Sequence, residues 1–102
     1  MISVHISYTV KAEFVQKNKE NIALFLSDFK NLPQCNFLYN VFIKDDSLTF
    51  VHIAMYESEQ DQNTVLNVPS FLQFQKERDE SGLDETPKIE FIELVGSSLS
   101  LL

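Results

Sequence analysis

A single cysteine, Cys35, stands in this chain of 102 residues, so no internal disulfide can form and packing alone must hold the fold. That usage suits a reducing compartment. Basic side chains are scarce as well: eight Lys plus Arg face fifteen Asp plus Glu, a net charge of −7. Such a surface repels polyphosphate backbones and anionic lipid headgroups, so neither nucleic acid nor a membrane is an expected partner. No stretch approaches the roughly 20 apolar residues that span a bilayer, and the N-terminus has neither the basic flank nor the apolar block of a secretory signal. A cytoplasmic protein is expected.

With 44% hydrophobic residues, the chain can bury one core. One domain over residues 1–96 is expected, followed by a short tail, 97–102, without usable periodicity.

From Ile2 to Val10 the residues alternate, with Ile2, Val4, Ile6, Tyr8 and Val10 on one side and Ser3, His5, Ser7 and Thr9 on the other. This predicts a strand with one apolar and one mostly polar face. The period then lengthens: Val15, Ile22, Phe25, Leu26, Phe29 and Leu32 recur at three-and-four spacing between Glu13 and Leu32, an amphipathic helix of about five turns. Pro33 ends it, because proline lacks an amide hydrogen and restricts the residue before it.

Two β-rich runs, Asn36 to Lys44 and Ser47 to Tyr56, flank Asp45-Asp46 and predict a hairpin. A two- or four-residue loop sets Ile43 opposite Leu48, Val41 opposite Phe50, Tyr39 opposite His52 and Phe37 opposite Ala54. One face then carries Phe37, Tyr39, Val41, Phe50, His52 and Tyr56; the other carries Asn36, Leu38, Asn40, Phe42, Val51, Ile53 and Met55.

Ser58 with Asp61 three residues later marks a helix start, and Pro69 restarts the helix after a break. Glu77 to Glu85 reads as a solvated acidic turn around Gly82, and its carboxylates lack the regular spacing of a calcium loop. Lys88 to Val95 alternates again as a last strand buried on both faces.

Strand, helix, strand, strand, helix, strand is the ferredoxin-like α+β order, βαββαβ, with a four-stranded antiparallel sheet and two helices on one face. Two helices cover only one side of such a sheet. Large apolar residues lie on both sides of nearly every strand, so a second copy is the expected cover and a homodimer the expected state.

Several joins, taken in order, resemble the antibiotic biosynthesis monooxygenase family: Leu32-Pro33-Gln34-Cys35, Tyr56-Glu57-Ser58 and Pro69-Ser70-Phe71. The likeness runs from about Ile2 to Val95 and implies a dimeric α+β barrel. The chain departs from that pattern by carrying Tyr56 where Trp is common, Ala54-Met55 where acidic residues are, Ser70 for His and Gln34 for Gly. The Asn, Trp and His of haem-degrading members align with His5, Val65 and Gln75, so haem degradation is not carried over.

What the resemblance implies is a monooxygenase without flavin, haem or metal, whose small aromatic or quinol substrate reduces oxygen itself once deprotonated. Such chemistry needs a base and donors for the resulting anion. His52 and then His5 are the candidate bases, with ordinary pKa values near 6.5, and Tyr39 and Tyr56 the candidate donors. The two histidines meet if the strand register puts them on one face. No third ligand at a recognisable spacing completes a metal site, and nothing basic flanks Cys35 to activate its thiol. The alternatives are a non-catalytic dimeric module that binds a small apolar ligand and an oxygen-independent barrel enzyme such as an isomerase.

Overall fold

The computed structural model describes all 102 residues. Strand β1 (Ile2–Thr9) leads through a single 3-10 turn into helix α1 (Val15–Phe29), and β2 (Phe37–Ile43) and β3 (Thr49–Tyr56) follow. Helices α2 (Glu59–Leu66) and α3 (Pro69–Glu77), a π-helical turn at Arg78–Gly82 and strand β4 (Lys88–Ile92) complete the chain. The sheet order is β2-β3-β1-β4, antiparallel at every pair, with the helices packed on one face. This is the ferredoxin-like α+β fold expected from the element order.

Local chemistry explains the joins. The Ser58 side chain caps α2, accepting from the Asp61 amide at 3.1 Å. Pro69 occupies the first turn of α3, where its missing amide hydrogen costs nothing. Gln34, after Pro33, takes a left-handed backbone conformation with φ 53°. That is the position where the related pattern carries Gly, and the physical reason is now visible: only glycine enters this region without a Cβ penalty.

The hairpin keeps its predicted faces but not its predicted partners. Val41 pairs with His52, Tyr39 with Ala54 and Phe37 with Tyr56, two residues along from the expected register. The loop closes as Lys44 and Thr49 bond across it, with Ser47 at φ 60° and the Asp46 carboxylate accepting from the Leu48 and Thr49 amides. A slip of two preserves side-chain parity, which is why every face assignment survives.

Three further differences matter. Helix α1 ends at Phe29, short of Leu32. The expected solvated acidic turn contains the buried residues Arg78 and Gly82. Strand β4 stops at Ile92 and is exposed on both sides rather than buried, because the helices lie over β1, β2 and β3 and leave this edge bare.

The core sits between helices and sheet and is dense in aromatic rings. Phe25, fully buried, packs against Phe29, Tyr39, Phe71 and Phe74 with ring centroids 4.9–5.6 Å apart. No helix is long and apolar enough to cross a membrane.

Candidate functional site

The centre of the helix-covered face holds a polar chain. His52 lies on β3 between Ile6 of β1 and Val41 of β2. Tyr8 and Tyr39 are its diagonal neighbours on those two strands, within reach of long side chains. Tyr8 Oη lies 2.7 Å from His52 Nε2, and Tyr39 Oη lies 2.7 Å from Nδ1. Asn18 of α1 donates its amide N–H to Tyr8 Oη at 3.0 Å. Below the imidazole, Phe74 stacks at 5.5 Å, and Phe25 closes the other approach at 6.2 Å.

Arg78 roofs the chain. Its guanidinium carbon sits 5.1 Å from the Tyr8 ring centre and 5.2 Å from that of Phe74, and its Nε donates to Asp79 Oδ1 at 3.0 Å. Two ring faces and a carboxylate thus compensate for drawing a cation into the protein.

Burial sets the proton affinities. The His52 pKa is lowered to about 3, first by burial and then by the charge of Arg78. The imidazole is therefore neutral at physiological pH, so one nitrogen donates and the other accepts. With Asn18 donating to Tyr8, the chain runs Asn18 to Tyr8 to His52 to Tyr39. Reversal requires the amide to turn and the imidazole to change tautomer together. Burial raises the pKa of Tyr8, opposed by Asn18 and Arg78, and burial likewise raises that of Tyr39. The Asn18 Oδ1 atom is buried with no partner.

Of the four residues expected from sequence, His52 and Tyr39 come together. His5 does not join them: it projects from the opposite face, where its Nδ1 lies 3.7 Å from Glu90 Oε1. Tyr56 is buried at the far end of β3, its ring 6.5 Å from that of Phe37, and burial raises its pKa. The ordinary pKa assumed for His52 also needs correction, since desolvation of the charged form outweighs every other influence on it.

Three members of the chain escaped the sequence reading, though each left a trace. Asn18 precedes Ile22 by four residues and Phe25 by seven, which puts a polar group on the apolar stripe of α1. Arg78 follows Phe74 by four and Phe71 by seven, on the buried stripe of α3 continued through the π turn. Tyr8 alternates with the apolar residues of β1, and its hydroxyl is the one polar atom among their side chains.

Beside this chain lies an open cleft of about 660 Å³ between the sheet edge at Ile6 and Ile89 and the segment Arg78 to Pro87. Arg78 is the only cation in its wall, and Asp79, Asp84 and Glu85 are its carboxylates. None of the five principal cavities is lined by His52 or His5. No three His, Cys, Asp or Glu side chains converge as a metal site would require.

No family model matches the sequence, and no curated relative does. Solved structures match it closely in shape. A crystal structure of an antibiotic biosynthesis monooxygenase superposes with a TM-score of 0.80 at 13% identity, covering 94% of this chain and 100% of that one. A Nitrosomonas europaea protein with the same, provisional name gives 0.81 at 16% identity over 94% and 100%. Another so named, from Bacteroides thetaiotaomicron, gives 0.84 at 7% identity over 99% and 95%. The fold is that of the antibiotic biosynthesis monooxygenases. Identities this low establish architecture, whereas chemistry must be argued from the site.

Proposed function

We propose that this protein is a cofactor-free monooxygenase for a small aromatic or quinol substrate, bound in the cleft whose one cation is Arg78. The observation that carries this reading is the guanidinium itself: held by Tyr8, Phe74 and Asp79, it borders a cavity within the volume range of small-molecule sites. A fixed cation favours the phenolate over the phenol, whose proton passes to solvent water in the open cleft, and so makes the ring a better reductant. An electron-rich methylene beside that phenolate is then oxidised to a carbonyl by dioxygen, whose second oxygen atom leaves as water.

In this reading Arg78 touches the substrate, while Asn18, Tyr8, His52 and Tyr39 are positioning residues that hold its aromatic bed. His52 is a neutral bridge rather than the base, because burial disfavours its imidazolium. His5 and Tyr56 belong to other parts of the fold. A second copy of the chain is proposed to cover the open sheet face, where Phe42 is 53% and Ile92 44% exposed.

A second reading, a non-catalytic module for a small apolar ligand, is favoured by the position of both histidines outside the walls of the principal cavities. One experiment separates the two. Oxygen uptake is measured with hydroquinones and anthrones, with binding of the same compounds followed by calorimetry, for wild type and Arg78→Met. Uptake that falls by about 10²-fold in the variant, the usual loss for one anion-holding donor, supports the oxygenase. Binding without accelerated uptake supports the module.

A further inference from the structure

The structure assigns a second ligand site, at the opposite edge of the sheet from the Arg78 cleft, to an acyl carboxylate: the groove between α1 and the unpaired edge strand β2. Two cavities, of about 310 and 270 Å³, open along this groove and share Leu26 as their common wall. Phe37 lies in the first and Phe42 in the second. Strand β2 bonds to β3 on one side only, so its outer edge leaves the groove open.

Charge identifies the occupant. Each cavity is lined by seven hydrophobic residues and one other, which is Lys30 in the first and Lys19 in the second. No carboxylate lines either one, in a chain where acidic residues outnumber basic ones by fifteen to eight. Neither lysine has a carboxylate partner within 4.0 Å, so both ammonium groups are free to pair with a ligand. Eleven residues of helix separate them, about 16 Å of axis at 1.5 Å per residue. An extended apolar chain lies along such a distance with its anionic head at one lysine, and an aromatic ring does not. The groove is independent of the oxygenase reading, because it shares no lining residue with the Arg78 cleft.

The test uses full-length protein with dodecanoate below its micellar concentration. Binding is followed by calorimetry and by amide shifts in nuclear magnetic resonance spectra, with dodecanol as the neutral control. Lys19→Glu, on the exposed face of α1, Lys30→Glu, at its exposed C-cap, and the double variant are compared after circular dichroism confirms their fold. Saturable one-to-one binding that moves the amides of Leu26, Phe37 and Phe42 is expected, weakened about tenfold in the double variant and by a similar factor for dodecanol. Three results overturn the proposal: no saturable binding, equal affinity for dodecanol, or shifts confined to the Arg78 cleft. Leu26 and Phe37 amides that move with protein concentration alone also overturn it, by naming a second copy as the occupant; Phe42, which also borders the open face, does not decide this.

Discussion

His52 and His5 lie on adjacent strands, one step apart in register, since Ile6 pairs with His52 and His5 with Ile53. One is sealed among aromatic rings with both nitrogens bonded; the other stands on the uncovered face beside a carboxylate. The two faces of the sheet differ in the same way. On the helix side the rings of Tyr8, Phe25, Phe29, Tyr39, Phe71 and Phe74 are buried against one another, whereas the open side and β4 present Phe42, Ile92 and their neighbours to solvent. The contrast teaches that residue type says little about proton chemistry until the face is known. On the helix side, burial keeps the His52 imidazole neutral.

The comparison can be broken where it is strongest. Phe25→Ala empties the centre of the helix-side cluster and is expected to cost 3–5 kcal/mol, about the range for Phe truncation in a core, as measured by urea unfolding. A loss below about 1 kcal/mol would show that this face is looser than its ring geometry implies.

Acid sharpens the contrast next. The folded pKa of His52 is depressed to about 3, so between roughly 6.5 and 3 the unfolded chain binds a proton that the folded chain refuses. His52 thus contributes stability that is present above pH 6.5 and is lost as pH falls through that window, at up to about 1.4 kcal/mol per unit. Urea midpoints at pH 7, 6, 5 and 4 measure it. A flat profile would mean that His52 is wetter than its surroundings indicate.

Gly82 tests the lid over the same region. A Cβ there would strike the ring of Phe14, so Gly82→Ala is expected to destabilise by about 1–3 kcal/mol, read as a lower thermal midpoint. Gln34→Gly acts in the opposite direction. Relief of the left-handed backbone at φ 53° is expected to add up to about 1 kcal/mol, measured by the same unfolding curve.

The smallest effect on the fold belongs to the open face. Phe42→Ser with Ile92→Ser is expected to change monomer stability by less than about 0.5 kcal/mol while weakening self-association in sedimentation. Unchanged sedimentation would leave this face without the partner proposed for it.

Parity and period are local properties, and the chain carries them in plain order. Alternation placed Tyr39, His52 and Tyr56 on one face, and the three-and-four spacing of Ile22, Phe25 and Phe29 found the buried side of α1. The break at Pro69 and the Ser58 cap were equally legible, because each acts on its own backbone within a few residues. Register and depth are not local. The hairpin partners depended on how Asp46 and Ser47 close the loop, and the fate of β4 depended on where two distant helices come to rest.

The site was half legible for the same reason. His52 and Tyr39 were recognisable as residue types on a shared face, and their meeting followed from strand adjacency. Asn18 and Arg78 come from helices far away in sequence, so only packing brings them over Tyr8. The depression of the His52 pKa is likewise a property of everything packed around it. The chain by itself determined the fold class and which residues of β2 and β3 share a face. The tertiary structure alone decided which inward polar groups meet, because desolvation and hydrogen bonding act through space and not along the backbone.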